Sequence, residues 1–470
     1  MQTYTTASVG NHRGAPRVWL QGANPARAGF TPGSTYRIEE GPDYLVLQLT
    51  LEGDKVVSKK LENGVWIPVI DLNSQKMLDR FKAFGALRII MMEGEIWMCP
   101  LASDKRKQTR LQRLRKKLQE NKPIAMGGIA YGLGVLDHAL HAGMEEEGLK
   151  TELGFANEVR PELIDQAQEY NSTFTATTQA LIGPMQEIAF DEKTMARVKQ
   201  VDVLAAGLPC SGASLAGRAK RKLSHPEDHP LVGHLVVAGL AFIAKVNPAM
   251  FVLENVPAYQ NTASSSILRN QLRDWGYDVH EREFLATEWG DLEKRNRWCM
   301  VAVTPGIPFD FAEMQPEPFV VRSLSDVLEK PEAVVDRWSE MPGLKAKLER
   351  DRADGKGFEM QIYTGEESHI NTLTKGITKN RSTDPKIQHP ENKDLLRIPT
   401  AKEHALCKGV PLELITGLAQ TPAHEMLGQG ICYKPFKALG VYIAKCLKKF
   451  GEMDAENLAW TNVAALKVAG

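Results

Sequence analysis

The sequence predicts an α/β protein with a doubly wound, mostly parallel, Rossmann-like sheet and a separate N-terminal β-rich domain. Between residues 121 and 305, short apolar runs that end in Gly, Asn or Pro alternate with helical stretches, which is typical of such sheets. The first hundred residues lack this alternation and contain closely spaced short strands. Residues 306–394 are polar and irregular, and helices return from residue 395.

The bulk composition is that of an ordinary globular protein. The 470 residues are 43% hydrophobic and 25% charged, which leaves room for two or three domains. No apolar run approaches the ~20 residues of a membrane helix, and the first residues lack an apolar signal core, so we expect a cytoplasmic protein without membrane contact. Six scattered cysteines without a CxxC pair argue against a disulfide framework and against a metal site. The net charge is zero, so a nucleic-acid partner must be argued from local patches.

The N-terminal β region, residues 1–103, contains an internal repeat. The segment that begins at Pro16 recurs at Pro68, an offset of 52 residues. At this offset the matched pairs are Leu20 with Leu72, Gly33 with Gly85, and Ile38 with Ile90. The first copy, WLQGANPARAGFTPGSTYRI, resembles the swapped-hairpin barrels of the AbrB/SymE type, many of which bind DNA as two interlocked units. The resemblance implies a DNA-binding accessory domain and is compatible with a dimer through this region. The alternative is a tandem β scaffold that only docks on the rest of the chain.

A basic helix is predicted over residues 104–120. Eight Lys or Arg residues fall between positions 105 and 117, and Leu111, Leu114 and Leu118 recur at helical spacing. We interpret it as a linker helix with an apolar seam, with phosphate contact as the alternative.

Polar residues stand at the ends of the predicted strands IAMGGIAYG, LGFANEV, VDVLAAGLP and AMFVLENVP, which precede a fifth strand, RWCMVAVTP. Ligands bind at the carboxyl ends of the strands in such sheets. The residues at these ends are Gly132, Glu158, Cys210, Glu254 and Asn255. Cys210 follows a proline in a Gly/Ser loop, which presents a thiol at the edge of the sheet.

Three elements in order, GLPCSGAS (207–214), FVLENVP (251–257) and GDLEKRNRW (290–298), resemble the DNA cytosine-5 methyltransferases. The resemblance covers about residues 121–305 and 395–450, so the second segment would complete the catalytic domain, with residues 451–470 as a tail. It implies methyl transfer from S-adenosylmethionine to C5 of a flipped cytosine in double-stranded DNA. It also leaves room for a restriction endonuclease partner.

The chemistry of these residues is consistent with that activity. A Cys210 thiolate that adds to C6 of cytosine turns C5 into a nucleophile. Glu254 could hold a proton or hydrogen bond at N3, and Arg295 or Arg297 could steady the charge or hold O2. Singly, each residue has a structural alternative as a loop residue, a helix cap or a surface charge. Their joint order at strand ends favours catalysis.

The resemblance also implies a cofactor site. In AYGLGVLDHALHAG (130–143), Gly132 and Gly134 form a strand-to-helix turn, with Tyr131 beside them. Ala130 stands where the family has phenylalanine, and Glu158 matches the acid that binds the ribose. The other residues assigned to this site are Val159, Pro209 and Gln429. The family has an aspartate that contacts the adenine, and the only polar residues at the corresponding place in this sequence are Gln186 and Glu187. Glu293 replaces a family glutamine, and Gln429 replaces an asparagine.

Residues 306–394 are predicted to form a small target-recognition domain. Thr372 and Leu373 resemble the Thr-Leu pair that these domains place near the flipped nucleotide. The basic side chains predicted to meet phosphates or base edges there are Lys375, Lys379, Arg381 and Lys386. The basic loop after Cys210 is predicted to close over DNA during base flipping through Ser211, Ser214, Arg218, Lys220 and Arg221.

Two further functions remain open from the sequence. One branch of the same family methylates tRNA, and a DNA-binding regulator could retain an inactive methyltransferase body. A nucleotide-dependent dehydrogenase is disfavoured, because no GxGxxG follows a strand and the cysteine would have no role. The DNA cytosine-5 methyltransferase is the preferred hypothesis.

Overall fold

The computed structural model describes residues 2–82, 84–209, 212–213, 221–356 and 359–453. The chain divides into two compact units, one built from residues up to Thr109 and the other from Arg110–Glu452. None of the described helices is both long and apolar enough to span a membrane.

The strands and helices of the described residues have the following bounds. The strands are β1 (Thr3–His12), β2 (Ala15–Gln21), β3 (Thr35–Glu40), β4 (Leu45–Leu49), β5 (Lys55–Val56), β6 (Ser58–Glu62), β7 (Val65–Leu72), β8 (Ala86–Met92), β9 (Glu95–Pro100), β10 (Ile124–Ile129), β11 (Thr151–Glu158), β12 (Gln179–Ile182), β13 (Val203–Ala206), β14 (Met250–Asn255), β15 (Asp278–Leu285), β16 (Glu293–Lys294), β17 (Asn296–Val303), β18 (Ile362–Tyr363), β19 (Ile370–Asn371), β20 (Lys386–Gln388) and β21 (Leu396–Arg397). The helices are α1 (Ala23–Arg27), α2 (Gln75–Leu78), α3 (Ala102–Gln119), α4 (Val135–Glu146), α5 (Pro161–Tyr170), α6 (Met185–Phe190), α7 (Glu192–Arg197), α8 (Leu235–Val246), α9 (Ala263–Asp274), α10 (Pro342–Ala353), α11 (Ala401–Cys407), α12 (Gln420–Gln429) and α13 (Tyr433–Glu452).

The first unit is an antiparallel sheet that closes on itself, here called the N-terminal barrel (β1–β9). Its strand order is β5-β3-β4-β9-β8-β1-β2-β7-β6. Only the buried residue Val57 separates β5 from β6, so the two ends of this order are consecutive pieces of one extended segment. β5 pairs with β3 and β6 pairs with β7, so this one segment connects the two ends of the sheet.

The internal repeat of the sequence is visible in the register of the barrel. In the β2–β7 pair, Val18 lies opposite Leu72 and Leu20 lies opposite Ile70. At the offset of 52 residues, Val18 corresponds to Ile70 and Leu20 corresponds to Leu72. The Val18–Leu72 pair is therefore equivalent to the Leu20–Ile70 pair. The two copies are therefore related by a local two-fold axis between β2 and β7.

The second unit is built around a seven-stranded sheet with the order β12-β11-β10-β13-β14-β17-β15. The pairs from β12 to β14 are parallel, whereas β17 is antiparallel to both β14 and β15. The structure therefore has the mostly parallel sheet that the sequence predicts. It adds two edge strands that the sequence analysis missed, β12 and β15.

Helices cover both faces of this sheet. On β11 the consecutive residues Phe155 and Ala156 point to opposite faces. Phe155 stacks on Phe242 of α8 at 6.1 Å between ring centroids, while Ala156 packs in a cluster that includes Ile164 of α5. The C-terminal helix α13 packs on α4, and glycines permit the contact. A Cβ on Gly143 would lie 2.0 Å from a backbone oxygen of α13.

The basic helix α3 is attached to the second unit by its own cations. Arg110 is fully buried, and its guanidinium donates to the Thr304 hydroxyl at 2.7 Å and to the Gly276 carbonyl at 2.6 Å. Arg113 and Lys117 lie 2.9 and 2.8 Å from the buried carboxylate of Asp202. These three side chains make protein contacts, and the linker role of the helix and its phosphate contact stay predictions.

Residues 306–394 contain helix α10 and several short strands. A three-stranded sheet has the order β18-β20-β21, and β19 pairs in parallel with β16. The latter pair joins this segment to the arginine element, through Glu293 opposite Ile370 and Lys294 opposite Asn371.

Candidate active site

A cavity of about 280 Å³ lies at the carboxyl ends of the parallel strands. The predicted site residues that line it are Tyr131, Gly132, Glu158, Pro209, Glu254, Arg297 and Gln429. Gly134, Val159 and Arg295 lie outside this lining. Four of the contributing segments are the ends of β10, β11, β13 and β14, which meet here because neighbouring parallel strands end at the same edge.

The turn from β10 to α4 has an unusual backbone. Ala130, Gly132 and Gly134 have φ values of 51°, 59° and 73°. A Cβ on Gly134 would lie 2.3 Å from the Tyr131 hydroxyl, so this glycine makes room for the buried tyrosine ring. At Gly132 the same position is open. Ala130 adopts a left-handed conformation that disfavours larger side chains, where the family has phenylalanine.

Glu158 is held rigidly at the end of β11. Its Oε2 accepts the Gly132 N–H at 2.8 Å, and its Oε1 accepts the N–H groups of Val159 and Arg160 at 2.9 and 3.1 Å. These three backbone donors hold the carboxylate in place, and Oε2, which accepts only one of them, keeps capacity for a further hydrogen bond. The Val159 side chain beside it is 56% exposed. The pair therefore offers a fixed acceptor next to an apolar surface.

Glu254 and Arg297 form an ion pair inside the cavity. Glu254 lies near the end of β14 and Arg297 near the start of the antiparallel β17, so the two strands bring them together. The Arg297 Nε lies 2.6 Å from the Glu254 Oε1. A carboxylate and a guanidinium fixed on strands at one edge can bind both an N–H and a carbonyl of a planar ring.

Arg295 lies behind the cavity. It is almost fully buried, and its guanidinium donates to the Gly428 carbonyl at 2.9 Å and to the Glu293 carboxylate at 3.2 Å. The sequence offered both arginines as candidates for substrate contact, but only Arg297 lines the cavity.

Asn255 fixes the start of the cysteine loop. Its side-chain N–H donates to the Leu208 carbonyl at 3.0 Å, one residue before the cavity-lining Pro209. Cys210 follows Pro209 directly in the sequence. The predicted residues Cys210, Ser211, Ser214, Arg218 and Lys220 lie outside the described residues.

Glu293, which stands where the family has glutamine, has a buried cation as its partner. Glu293 and Lys408 are both fully buried and lie 3.2 Å apart. Burial alone would raise the pKa of Glu293, but the Lys408 and Arg295 charges outweigh it and lower the pKa. The Glu293 carboxylate also accepts the Leu373 N–H at 3.0 Å. The acid thus connects the arginine element with the predicted Thr-Leu pair.

The predicted DNA contacts have mixed positions. Lys375, Lys379, Arg381 and Arg221 are exposed, and the Thr372 hydroxyl donates to the Lys294 carbonyl at 3.0 Å. The prediction for Lys386 is wrong. This side chain is fully buried, and its ammonium donates to the carbonyls of Arg381 and Asp384 at 2.8 and 2.9 Å. Its role is to hold a turn together.

The sequence analysis missed three charged residues that line the cavity. Asp137 is buried in the first turn of α4. Arg160 and Glu425 form an ion pair at 3.3 Å. An acid within the apolar stretch VLDHAL was the available signal for Asp137, whereas the Arg160–Glu425 contact joins residues far apart in the chain. Neither Gln186 nor Glu187 lines the cavity. No cluster of three metal-binding side chains occurs in the described ranges.

Known proteins share this architecture. The Type II methyltransferase M.MspI of Moraxella sp is 26% identical over 294 residues, which cover 60% of this chain and 65% of that protein. The Type II methyltransferase M1.ScrFI of Lactococcus lactis subsp. cremoris is 24% identical over 258 residues, covering 53% and 63%. The alignments therefore span less than two thirds of either relative.

A solved structure, the Dnmt2 methyltransferase of S. pombe, superposes with a TM-score of 0.54 at 16% identity, covering 69% of this chain and 99% of that one. This likeness establishes the fold of the second unit. The family model for the C-5 cytosine-specific DNA methylases matches residues 132–445, more than half of the chain. The resemblance that the three motifs carry is confirmed, and the chain belongs to the C-5 cytosine-specific DNA methylase family.

Proposed function

We propose that this chain transfers a methyl group from S-adenosylmethionine to C5 of cytosine in DNA, with Cys210 as the covalent nucleophile. The observation that carries the proposal is the Glu254–Arg297 pair at 2.6 Å, in a cavity that Pro209 also lines. An acid and a cation fixed beside the residue before a thiol are what covalent activation of a pyrimidine requires.

The cavity fits S-adenosylmethionine. Glu158 would bind the ribose hydroxyls, because its carboxylate is fixed by three backbone N–H groups and retains acceptor capacity. The open side of Gly132 would allow close approach of the ligand to the backbone, and the exposed Val159 side chain, which lies outside the cavity lining next to Glu158, would cover the adenine. When bound, S-adenosylmethionine supplies an electrophilic methyl group.

The residues of the chain would then prepare the cytosine. The Cys210 thiolate forms a bond from Sγ to C6, and the C5=C6 electron pair moves to C5, which becomes the nucleophile. Glu254 shares a proton with N3, and Arg297 donates to O2, so both offset charge in the ring. After C5 is methylated, loss of the C5 proton to a base and of the Cys210 thiolate restores the C5=C6 double bond.

DNA is the substrate class we propose, by similarity to the type II methyltransferases. C5 and C6 are inaccessible in stacked duplex DNA, so the base must be flipped into the cavity. The exposed Lys375, Lys379 and Arg381 of residues 306–394 would contact the DNA as part of a target-recognition segment.

The test is covalent trapping on duplex DNA of mixed sequence that carries 5-fluorocytosine, with S-adenosylmethionine present. Fluorine cannot leave as the C5 proton does, so the enzyme stays bound to its target. We expect an adduct with the parent, none with Cys210→Ala, and an adduct with the matched control Cys99→Ser. Sequencing of the trapped DNA gives the recognition site.

Other outcomes would redirect the proposal. An adduct that survives in Cys210→Ala would disprove the role of this cysteine. Absence of an adduct on DNA, together with an adduct on fluoropyrimidine tRNA, would change the substrate to RNA. Tight DNA binding without any adduct would indicate a regulator with an inactive methyltransferase body.

A further inference from the structure

The acids that line the cavity differ in whether they have a partner. Glu158 accepts three backbone N–H groups, Glu254 pairs with Arg297, and Glu425 pairs with Arg160. Asp137 is the exception. Its Oδ1 is buried and has no hydrogen-bond partner among the described residues.

A buried carboxylate oxygen without a partner lowers the stability of the ligand-free protein. Asp137 is 3% exposed, and a carboxylate oxygen that is buried without a partner, as its Oδ1 is, loses its hydration without compensation. Burial accordingly raises the pKa of Asp137 to about 8, although its own backbone N–H offsets part of the effect. A destabilising polar group in a cavity wall indicates an interaction that forms only when a ligand is bound.

We infer that Asp137 binds the α-ammonium group of S-adenosylmethionine. This inference rests on the proposed function and identifies the residue that recognises the amino-acid end of the methyl donor. A carboxylate paired with an ammonium gains a charge-assisted hydrogen bond and is no longer an isolated buried charge.

The order of the strands supports this assignment. β10 lies between β11, which ends at Glu158, and β13, which leads to Pro209. A ligand with its ribose at Glu158 and its methyl group near Pro209 must cross the end of β10. Asp137 lies there, in the first turn of α4, with its carboxylate against the backbone of Gly128 in β10.

The test compares two ligands by calorimetry on the full chain. S-adenosylhomocysteine carries the α-ammonium group, whereas 5′-methylthioadenosine has the same nucleoside without the amino-acid end. We expect Asp137→Asn to weaken S-adenosylhomocysteine about ten- to a hundredfold, the loss of one hydrogen bond to a charged group. The affinity for 5′-methylthioadenosine should not change.

Asp291→Asn is the matched control. Asp291 is equally buried, its Oδ1 also lacks a partner among the described residues, and burial raises its pKa to about 8 despite the Lys434 charge. It does not line the cavity, so its substitution should leave both affinities unchanged. Asp137→Ser provides a second variant in case the amide disturbs folding.

The stability of the variant separates a ligand-binding role from a structural one. Without ligand, Asp137→Asn should melt at the same temperature as the parent or higher, because an uncompensated acid is removed. Unchanged affinity for S-adenosylhomocysteine, or equal weakening of both ligands, would overturn the inference. If the parent itself binds neither ligand, the proposed function fails instead.

Discussion

Arg295 and Arg297 show how two adjacent cations of the same motif acquire different tasks. Arg297 lies within β17 and pairs with Glu254 in the cavity, whereas Arg295 precedes β17 and lies behind the cavity against Glu293 and Gly428. Arg297 can therefore touch a substrate, and Arg295 is a positioning residue. The two differ because β17 begins between them, at Asn296, and the sequence does not reveal this start.

We expect opposite phenotypes for these two arginines. Arg297→Ala should lower kcat about 10²- to 10³-fold, the loss of one preorganised charge donor, with little change in melting temperature. Arg295→Ala should lower the free energy of unfolding by about 3 kcal/mol, because it leaves buried partners uncompensated. Steady-state methylation and thermal unfolding of both variants test this. Equal effects on stability would refute the division of roles.

Asp137 makes a prediction about pH. Its pKa is about 8 in the folded protein and about 3.9 in the unfolded chain, so the folded state holds the proton more tightly. The stability associated with this group is therefore complete below about pH 4 and is lost as the pH rises to about 8. The loss cannot exceed about 1.4 kcal/mol per pH unit.

The measurement is urea unfolding of Asp137→Asn and of the parent between pH 5 and pH 9. The advantage of the variant should grow with pH and level off above about pH 8. An advantage that stays constant with pH would show that Asp137 does not titrate in this range. Asp291→Asn should behave similarly, since burial raises the pKa of Asp291 to about 8 as well.

Among the elements, α3 depends on ion pairs. The Asp202 carboxylate accepts from Arg113 and Lys117 of α3 and from the Ala125 N–H at 3.0 Å, so it joins the helix to β10 and β13. The sequence predicted the helix and its basic character. It did not reveal the buried acid that receives it, because Asp202 is distant in sequence and stands beside an apolar strand.

We expect Asp202→Ala to lower the free energy of unfolding of the second unit by about 3–5 kcal/mol, because two cations lose a buried partner. The control is Arg352→Ala, whose ion pairs with Glu349 and Glu359 are exposed, so its loss should change the free energy of unfolding little. Thermal unfolding followed by circular dichroism measures both. A loss for Asp202→Ala no larger than that of the control would refute this role.

Glu293 shows what a sequence comparison reveals about an element and what it omits. The replacement of a family glutamine was evident from the motif, but its compensation by Lys408 was not, because 115 positions separate the two residues. The Glu293 carboxylate of this pair also accepts the Leu373 N–H, close to the point where Lys294 lies opposite Asn371. Glu293, which departs from the family motif, therefore helps to connect β16 with β19.

For the whole molecule, regular patterns were predictable and exceptions were not. The alternation of strands and helices predicted five of the seven strands of the second unit, and the offset of 52 residues predicted an internal repeat, which the β2–β7 register also shows. The edge strand β15, DVHEREFL, escaped because charges dominate its sequence. Lys375 and Lys386 look alike in sequence, yet one is exposed and the other is buried, because burial depends on which carbonyls the fold brings near.

The two units have separate hydrophobic cores. The core residues of the N-terminal barrel all fall between Val18 and Met98, and those around the parallel sheet fall between Ala125 and Ala302. Because each core is continuous within one unit, we expect two unfolding transitions in calorimetry. The cavity is lined by residues of the second unit alone.

S-adenosylhomocysteine should therefore stabilise only one of the two transitions. At a hundred times its Kd, a ligand that binds the folded state alone adds about 2.7 kcal/mol. Asp202→Ala should lower the melting temperature of that same transition, and Asp137→Asn should reduce its response to the ligand. A substitution in the barrel core, such as Phe81→Ala, should lower the other transition. A single transition that responds to all four changes would show that the two cores unfold as one cooperative unit.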